Sequence, residues 1–77
     1  MSRSPSITGD ELIVALNKGG FLVIRIRGRH HFLRHSDGRA AVEPAHPTET
    51  IGPGLLHKIL RDCHLSVDDL HQLLRTQ

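Results

Sequence analysis

Residues 21–43 read FLVIRIR-GR-HHFLRH-SDG-RAAVE, and the fold turns on this stretch. Phe21 to Arg27 carries three β-branched residues, and its second half alternates apolar and basic side chains, as a strand with one buried face should. Arg25 and Arg27 then project from one side. Gly28-Arg29 has room only for a tight reversal. His30 to His35 reads as a second strand, its pattern interrupted by histidine and arginine. Ser36-Asp37-Gly38 carries the Asp-Gly signal of a hairpin, and Arg39 to Glu43 returns as a third strand. Pro44 lacks the N–H a ladder needs, so pairing ends about there. Two successive hairpins make a three-stranded antiparallel sheet.

Helical patterns flank it. Thr8-Gly9-Asp10-Glu11 has the form of a capping box, in which each side chain satisfies a backbone N–H that the first turn leaves free. Leu12, Ala15 and Leu16 follow at helical spacing, and Gly19-Gly20 ends the run, which predicts a helix over about 9–18. After a loop rich in Pro, Thr and Gly, Pro53 suits the first turn of a second helix. Leu55, Leu56, Ile59 and Leu60 form its apolar face. Ser66-Val67-Asp68-Asp69 starts a third, with Val67, Leu70, Leu73 and Leu74 as its stripe. The order α-β-β-β-α, with an additional C-terminal helix, defines an α+β two-layer domain.

Seventy-seven residues leave no room for separate cofactor and substrate domains, and a chain this size buries only about 60–65% of its unfolded surface. No apolar run approaches the roughly 20 residues that span a bilayer, and Met1-Ser2-Arg3-Ser4-Pro5 leads into a polar segment without the shape of a secretory signal. The single cysteine, Cys63, excludes an intrachain disulfide. A soluble, cytoplasmic protein is the expectation, with no membrane partner. Cys63-His64 matches no standard zinc spacing, so neither metal nor other cofactor is expected.

The charge is unevenly spread. From Arg25 to Arg39 five arginines face one acid, a local charge of +4, whereas the remaining five bases and seven acids leave −2. That asymmetry suits a polyanionic partner, most simply a nucleic acid. Phe21 and Phe32 are the only Phe, Tyr or Trp residues, so a base-stacking platform of the kind single-strand binders use is not expected.

Taken together, Gly20-Phe21, Gly28-Arg29-His30-His31, His35-x-Asp37-Gly38-Arg39, Pro44-Ala45-His46, Gly54-Leu55-Leu56-His57-Lys58-Ile59-Leu60 and Leu65-Ser66 resemble the HicA-type toxins, from about Ile7 to Leu74. The resemblance implies one domain over residues 1–77, with 1–6 flexible and a fold similar to double-stranded-RNA-binding domains. It also implies a type II toxin–antitoxin toxin: an mRNA interferase acting without metal, neutralised by a HicB-like antitoxin. The histidine of the family's Gly-Ser-His motif falls on His30, and its Pro-x-His motif on Pro44 and His46. Four positions depart from the pattern. Arg29 replaces serine, Leu55 threonine, and His57 a basic residue, while Glu43 stands where an apolar side chain is more common.

Cleaving RNA through its own 2′-OH requires a base for that proton and cations for the phosphate. Imidazole titrates near pH 6.5, so its neutral form is available at cellular pH. Guanidinium donates two parallel hydrogen bonds and stays charged. On spacing alone, His30 reads more simply as a hydrogen-bonded histidine ending an edge strand; the resemblance makes it the general base. Arg29 and Arg27 then bind phosphate, and Gly28 lets the RNA backbone approach. His46 either meets substrate or orients His30, or is structural. Lys58, one helical face with Arg61, reaches RNA phosphates or simply solvates its helix. His31 and His35 lie on the opposite face from His30 and read as packing or surface residues. The readings of another class are a non-catalytic RNA-binding module and a protein that only binds its antitoxin.

Overall fold

The structure is a computed structural model and describes residues 3–76. Six elements follow one another: α1 (Gly9–Lys18), β1 (Phe21–Arg27), β2 (His30–His35), β3 (Ala40–Glu43), α2 (Pro53–Asp62) and α3 (Val67–Arg75). The strands form one antiparallel sheet in the order β1-β2-β3, so His30 begins the central strand and not an edge strand. The helices cover one face. Leu12 and Leu16 of α1, Phe21, Leu33 and Ala41 of the sheet, Leu56, Ile59 and Leu60 of α2, and Leu70 of α3 meet in a single buried core. The α+β arrangement read from the sequence is the one observed.

Local chemistry sets the helix boundaries. Thr8 Oγ1 accepts the Glu11 N–H at 3.3 Å while Glu11 Oε1 accepts the Thr8 N–H at 2.9 Å. Ser66 and Asp69 repeat the exchange at 2.9 and 2.8 Å. Pro53 opens α2 behind Gly52, which supplies no side-chain cap. The same helix ends in a Schellman motif: the Leu65 N–H reaches the Leu60 carbonyl and the His64 N–H the Arg61 carbonyl. His64 occupies the left-handed position with φ 56°, a place where glycine is usual. At the other end of the chain, Ser4 Oγ lies 2.6 Å from His57 Nε2, and the Arg3 carbonyl accepts from His71.

The sheet contains one irregularity with large consequences. Strict alternation from buried Phe21 would turn Val23, Arg25 and Arg27 all toward the helices. The register instead shifts between Val23 and Arg25. Ile24 and Arg25 together oppose Phe32, as in a β-bulge. Past this point the strand is reversed in phase: Val23 pairs with buried Leu33, whereas Arg25 pairs with Phe32 and Arg27 with His30. The bulge thus keeps two guanidinium groups out of the core and places both on the open face.

A second long-range device holds the β2–β3 hairpin to α2. Arg39 Nη1 donates to the Cys63 carbonyl at 2.7 Å, its Nε pairs with Asp37 at 2.9 Å, and its guanidinium lies 4.9 Å from the Phe21 ring centroid. His35 packs edge-on against the Phe21 ring, with centroids 5.1 Å apart, and its Nδ1 accepts the Asp37 N–H. The His-x-Asp-Gly-Arg segment is therefore a structural clasp. Cys63 is fully buried and burial pushes its thiol up to about 11, which makes it inert as a nucleophile.

Candidate functional site

Arg27 and His30 are the last cross-strand pair before the β1–β2 reversal. Gly28 takes φ +59° while Arg29 does not leave the negative-φ region, the combination of a two-residue hairpin loop with glycine first. Nothing lies within 4 Å of a Cβ built on Gly28, so glycine is required there by backbone conformation, and the approach to the turn is open. The His30 side chain is exposed, and its ring has no hydrogen-bond partner among the described residues. That removes the reading of a histidine tied into the strand end. Its neighbour His31 points the other way, is half-buried, and places Nδ1 3.1 Å from the Arg29 carbonyl. A carbonyl only accepts, so His31 carries its proton on Nδ1 and ties the turn to β2.

His30 belongs to the face of the sheet that no helix covers. By register and burial the same face carries Leu22, Ile24, Arg25 and Arg27 of β1, Phe32 and Arg34 of β2, and Ala40 and Val42 of β3. Leu22 and Ile24 are each 62% exposed and Val42 38%. The Arg25 guanidinium sits 5.8 Å from the Phe32 centroid. Ile24, Phe32, Ala40 and Val42 line a shallow trough of about 250 Å³ whose rim is reached by Lys58 and Asp62 of α2. Those two form an ion pair at 2.9 Å. No acidic residue of the three strands faces this side; Glu43, the one acid among them, is turned inward.

Of the residues singled out in the sequence, His30, Arg27, Gly28 and Arg29 come together in one hairpin, and Lys58 stands at the rim of the trough beyond it. His46 is placed differently. Its backbone N–H donates to Glu49 Oε1 at 3.1 Å, and the loop that holds it caps α1, where the Asp10 N–H reaches the Pro47 carbonyl and the Gly9 N–H the Glu49 carbonyl. A Cβ on Gly9 would come within 2.8 Å of the His46 carbonyl. The His46 ring is exposed, and no hydrogen bond joins it to His30 among the described residues.

Glu43 is the least expected feature. It is 0% exposed. Its Oε1 accepts the Ala45 N–H at 2.7 Å, whereas Oε2 has no partner among the described residues. Burial raises the pKa of this carboxyl, the Ala45 N–H and His31 opposing, with Asp10 and Glu49 adding to the rise. Phe32, Ile24 and Val42 were not legible as site residues, because the cross-strand register that gathers them beside His30 exists only in the assembled sheet. Among the described residues no group of three or more His, Cys, Asp or Glu could hold a metal ion, and no helix is long and apolar enough to cross a membrane.

A small α+β domain with a bare, cation-rich sheet face and an unpartnered histidine beside a tight hairpin has the charge that suits a polyanionic partner. The comparison with known families is more specific. The family described as HicA toxin of bacterial toxin-antitoxin matches residues 9–65, and the chain belongs to it. The match spans α1, the whole sheet and α2, and stops at the Schellman turn. A search of curated proteins gave no match.

Proposed function

We propose that this toxin is an endoribonuclease that cleaves mRNA in the cytoplasm without a metal ion, with His30 as general base, and that a HicB-like antitoxin silences it. The observation that carries the reading is the exposed, unpartnered imidazole of His30 directly across from Arg27 on a sheet face to which the three strands present no acid. Neutral His30 takes the proton of a ribose 2′-OH. The 2′ oxygen then bonds to phosphorus, and the bond from phosphorus to the 5′ oxygen breaks, that oxygen taking a proton from water. The products are a 2′,3′-cyclic phosphate and a free 5′-OH. Arg27 and Arg29 hold the phosphate as charge builds on its oxygens, a role that suits guanidinium geometry. Lys58 and His46 contribute to RNA contact farther from the scissile bond.

An antitoxin that presents acids to this face covers His30 and blocks phosphate entry at once. The non-catalytic alternative uses the same surface for binding alone. A 5′-labelled RNA incubated with the toxin, with and without chelator, separates them. Cleavage that persists in chelator and leaves a 2′,3′-cyclic phosphate supports the proposal. Intact RNA under saturating, single-turnover conditions, or cleavage abolished by chelator, overturns it.

A further inference from the structure

The open face carries more apolar surface than phosphate binding requires. Leu22, Ile24 and Val42 expose side chains that a domain this small would gain by burying, and the bulge brings Arg25 onto the open face directly beside Ile24. Phe32 lies at the centre of this surface, between Ile24 and Arg25 on one strand and Val42 on the other. It follows His30 by two positions on the same face, about 7 Å along the strand. Cation and apolar group alternate: Arg25, Arg27 and Arg34 are interleaved with Leu22, Ile24, Phe32 and Val42.

We infer that the trough of Ile24, Phe32 and Val42 receives an unpaired nucleobase next to the phosphodiester held at His30, so that the toxin takes single-stranded RNA and Phe32 sets the preference for the base flanking the cut. The inference rests on the ribonuclease reading for the identity of the strand, and on the geometry of this face for its single-strandedness.

Three features select this occupant. Bases in a duplex are stacked and paired, their faces out of reach, whereas an unpaired base offers a π-face to an aromatic ring or a guanidinium plane. Arg25, 5.8 Å from the Phe32 centroid, is placed to stack on the same base or to hold its phosphate. A second copy of the chain is disfavoured, because a two-fold contact through this face would oppose Arg25, Arg27 and Arg34 to themselves, and like charges across an interface repel. The trough is also smaller, at about 250 Å³, than pockets that enclose drug-sized ligands, about 300–1,000 Å³. It fits a single ring system laid on the sheet. One ring is not a platform, so the expected recognition is of one base rather than a run.

The test uses the full chain and a 2′-O-methyl RNA oligonucleotide of mixed sequence, which cannot cleave itself, together with the same sequence closed into a hairpin duplex. Fluorescence anisotropy reads affinity, and methyl NMR reads the position of contact. The single strand is expected to shift the methyls of Ile24 and Val42. Phe32→Ala is expected to weaken its binding about five- to 100-fold, the range for one stacked base, and to reduce binding of the duplex far less. Phe32→Leu preserves apolar volume without the ring and serves if the alanine variant fails to fold; it should lose single-strand affinity while melting like the wild type. Equal affinity in Phe32→Leu and wild type overturns the inference. So do shifts confined to the helical side, equal binding of duplex and single strand, or a wild-type dimer that Ile24→Asp dissociates without change in RNA affinity. Because the oligonucleotide is not cut, these outcomes are independent of the cleavage assay. Cleavage with unaffected Phe32 variants removes the base subsite alone, and Phe32-dependent binding without cleavage removes the nuclease alone.

Discussion

His31 stands directly across from Glu43 in the β2–β3 ladder, both on the helix side of the sheet, and between them they place a fully buried carboxyl behind the hairpin that carries His30. The two are not in ion-pair contact. Glu43 spends one oxygen on the Ala45 N–H and leaves the other without a partner among the described residues. An ionised group in that position is costly, since a buried unsatisfied polar atom alone costs about 1–3 kcal/mol and a charged one more.

The sign of the pH dependence follows from the raised pKa of Glu43. The folded chain holds this proton at pH values where the unfolded chain has lost it, so the contribution to stability is full below the ordinary carboxylate pKa. It is lost as pH rises through the folded value. Glu43→Gln retains an oxygen for the Ala45 N–H and cannot ionise. It should match the wild type near pH 4 and exceed it by about 1–3 kcal/mol near pH 8. Urea melts across that range check this; a variant less stable at pH 8 would mean that the carboxylate is held by a partner.

His64 closes α2 with φ 56°, a conformation that costs a side-chain-bearing residue roughly 1–2 kcal/mol. His64→Gly keeps the two Schellman hydrogen bonds and relieves this cost, offset in part by the greater freedom of glycine in the unfolded chain. A gain of about 0.5–1 kcal/mol in urea melts is expected. No gain, or a loss, would show that the His64 ring makes a compensating contact.

Arg39 makes three contacts of different kinds, to the Cys63 carbonyl at the end of α2, to Asp37 in its own hairpin and to the Phe21 ring of β1, and only a planar fork can make them together. Arg39→Lys should therefore destabilise by about 1–3 kcal/mol, the worth of a charged hydrogen bond and its packing. Asp37→Asn removes an exposed charge beside Arg39 and His35 but keeps an oxygen for the Arg39 N–H, and should cost less than Arg39→Lys. If the two variants melt alike, the bond to the Cys63 carbonyl contributes nothing.

Gly28→Val puts a β-branched residue at φ +59°, where space is free but backbone geometry is not. It should cost about 1–2 kcal/mol, while Gly28→Asn, which tolerates that conformation, should cost less. Equal losses in thermal melts would indicate a packing role that the empty surroundings of Gly28 do not suggest.

Much of the fold could be read from the chain because its determinants are local. Both capping boxes lie within four residues, and the Gly28 and Asp37-Gly38 turns mark the hairpins without reference to anything distant. What escaped depends on the sheet as assembled. Ile24 looks like any strand residue until its register with Phe32 is known. Glu43 reads as an exposed acid until Ala41 and Glu43 are seen to share the covered face. Arg39 meets Cys63 from 24 positions away, and no periodicity announces it. In the site, the hairpin residues around His30 were legible as a motif, whereas His46 could be placed only once its loop was seen to cap α1.

The proposed chemistry needs His30 for the proton and not for grip. Single-turnover cleavage and binding of an uncleavable analogue, measured side by side for wild type and His30→Ala, test that division most directly. Removing the base should slow cleavage about 10²–10⁴-fold while affinity changes by less than about twofold. Undiminished cleavage in the alanine variant, or a loss of rate fully matched by a loss of affinity, would contradict it.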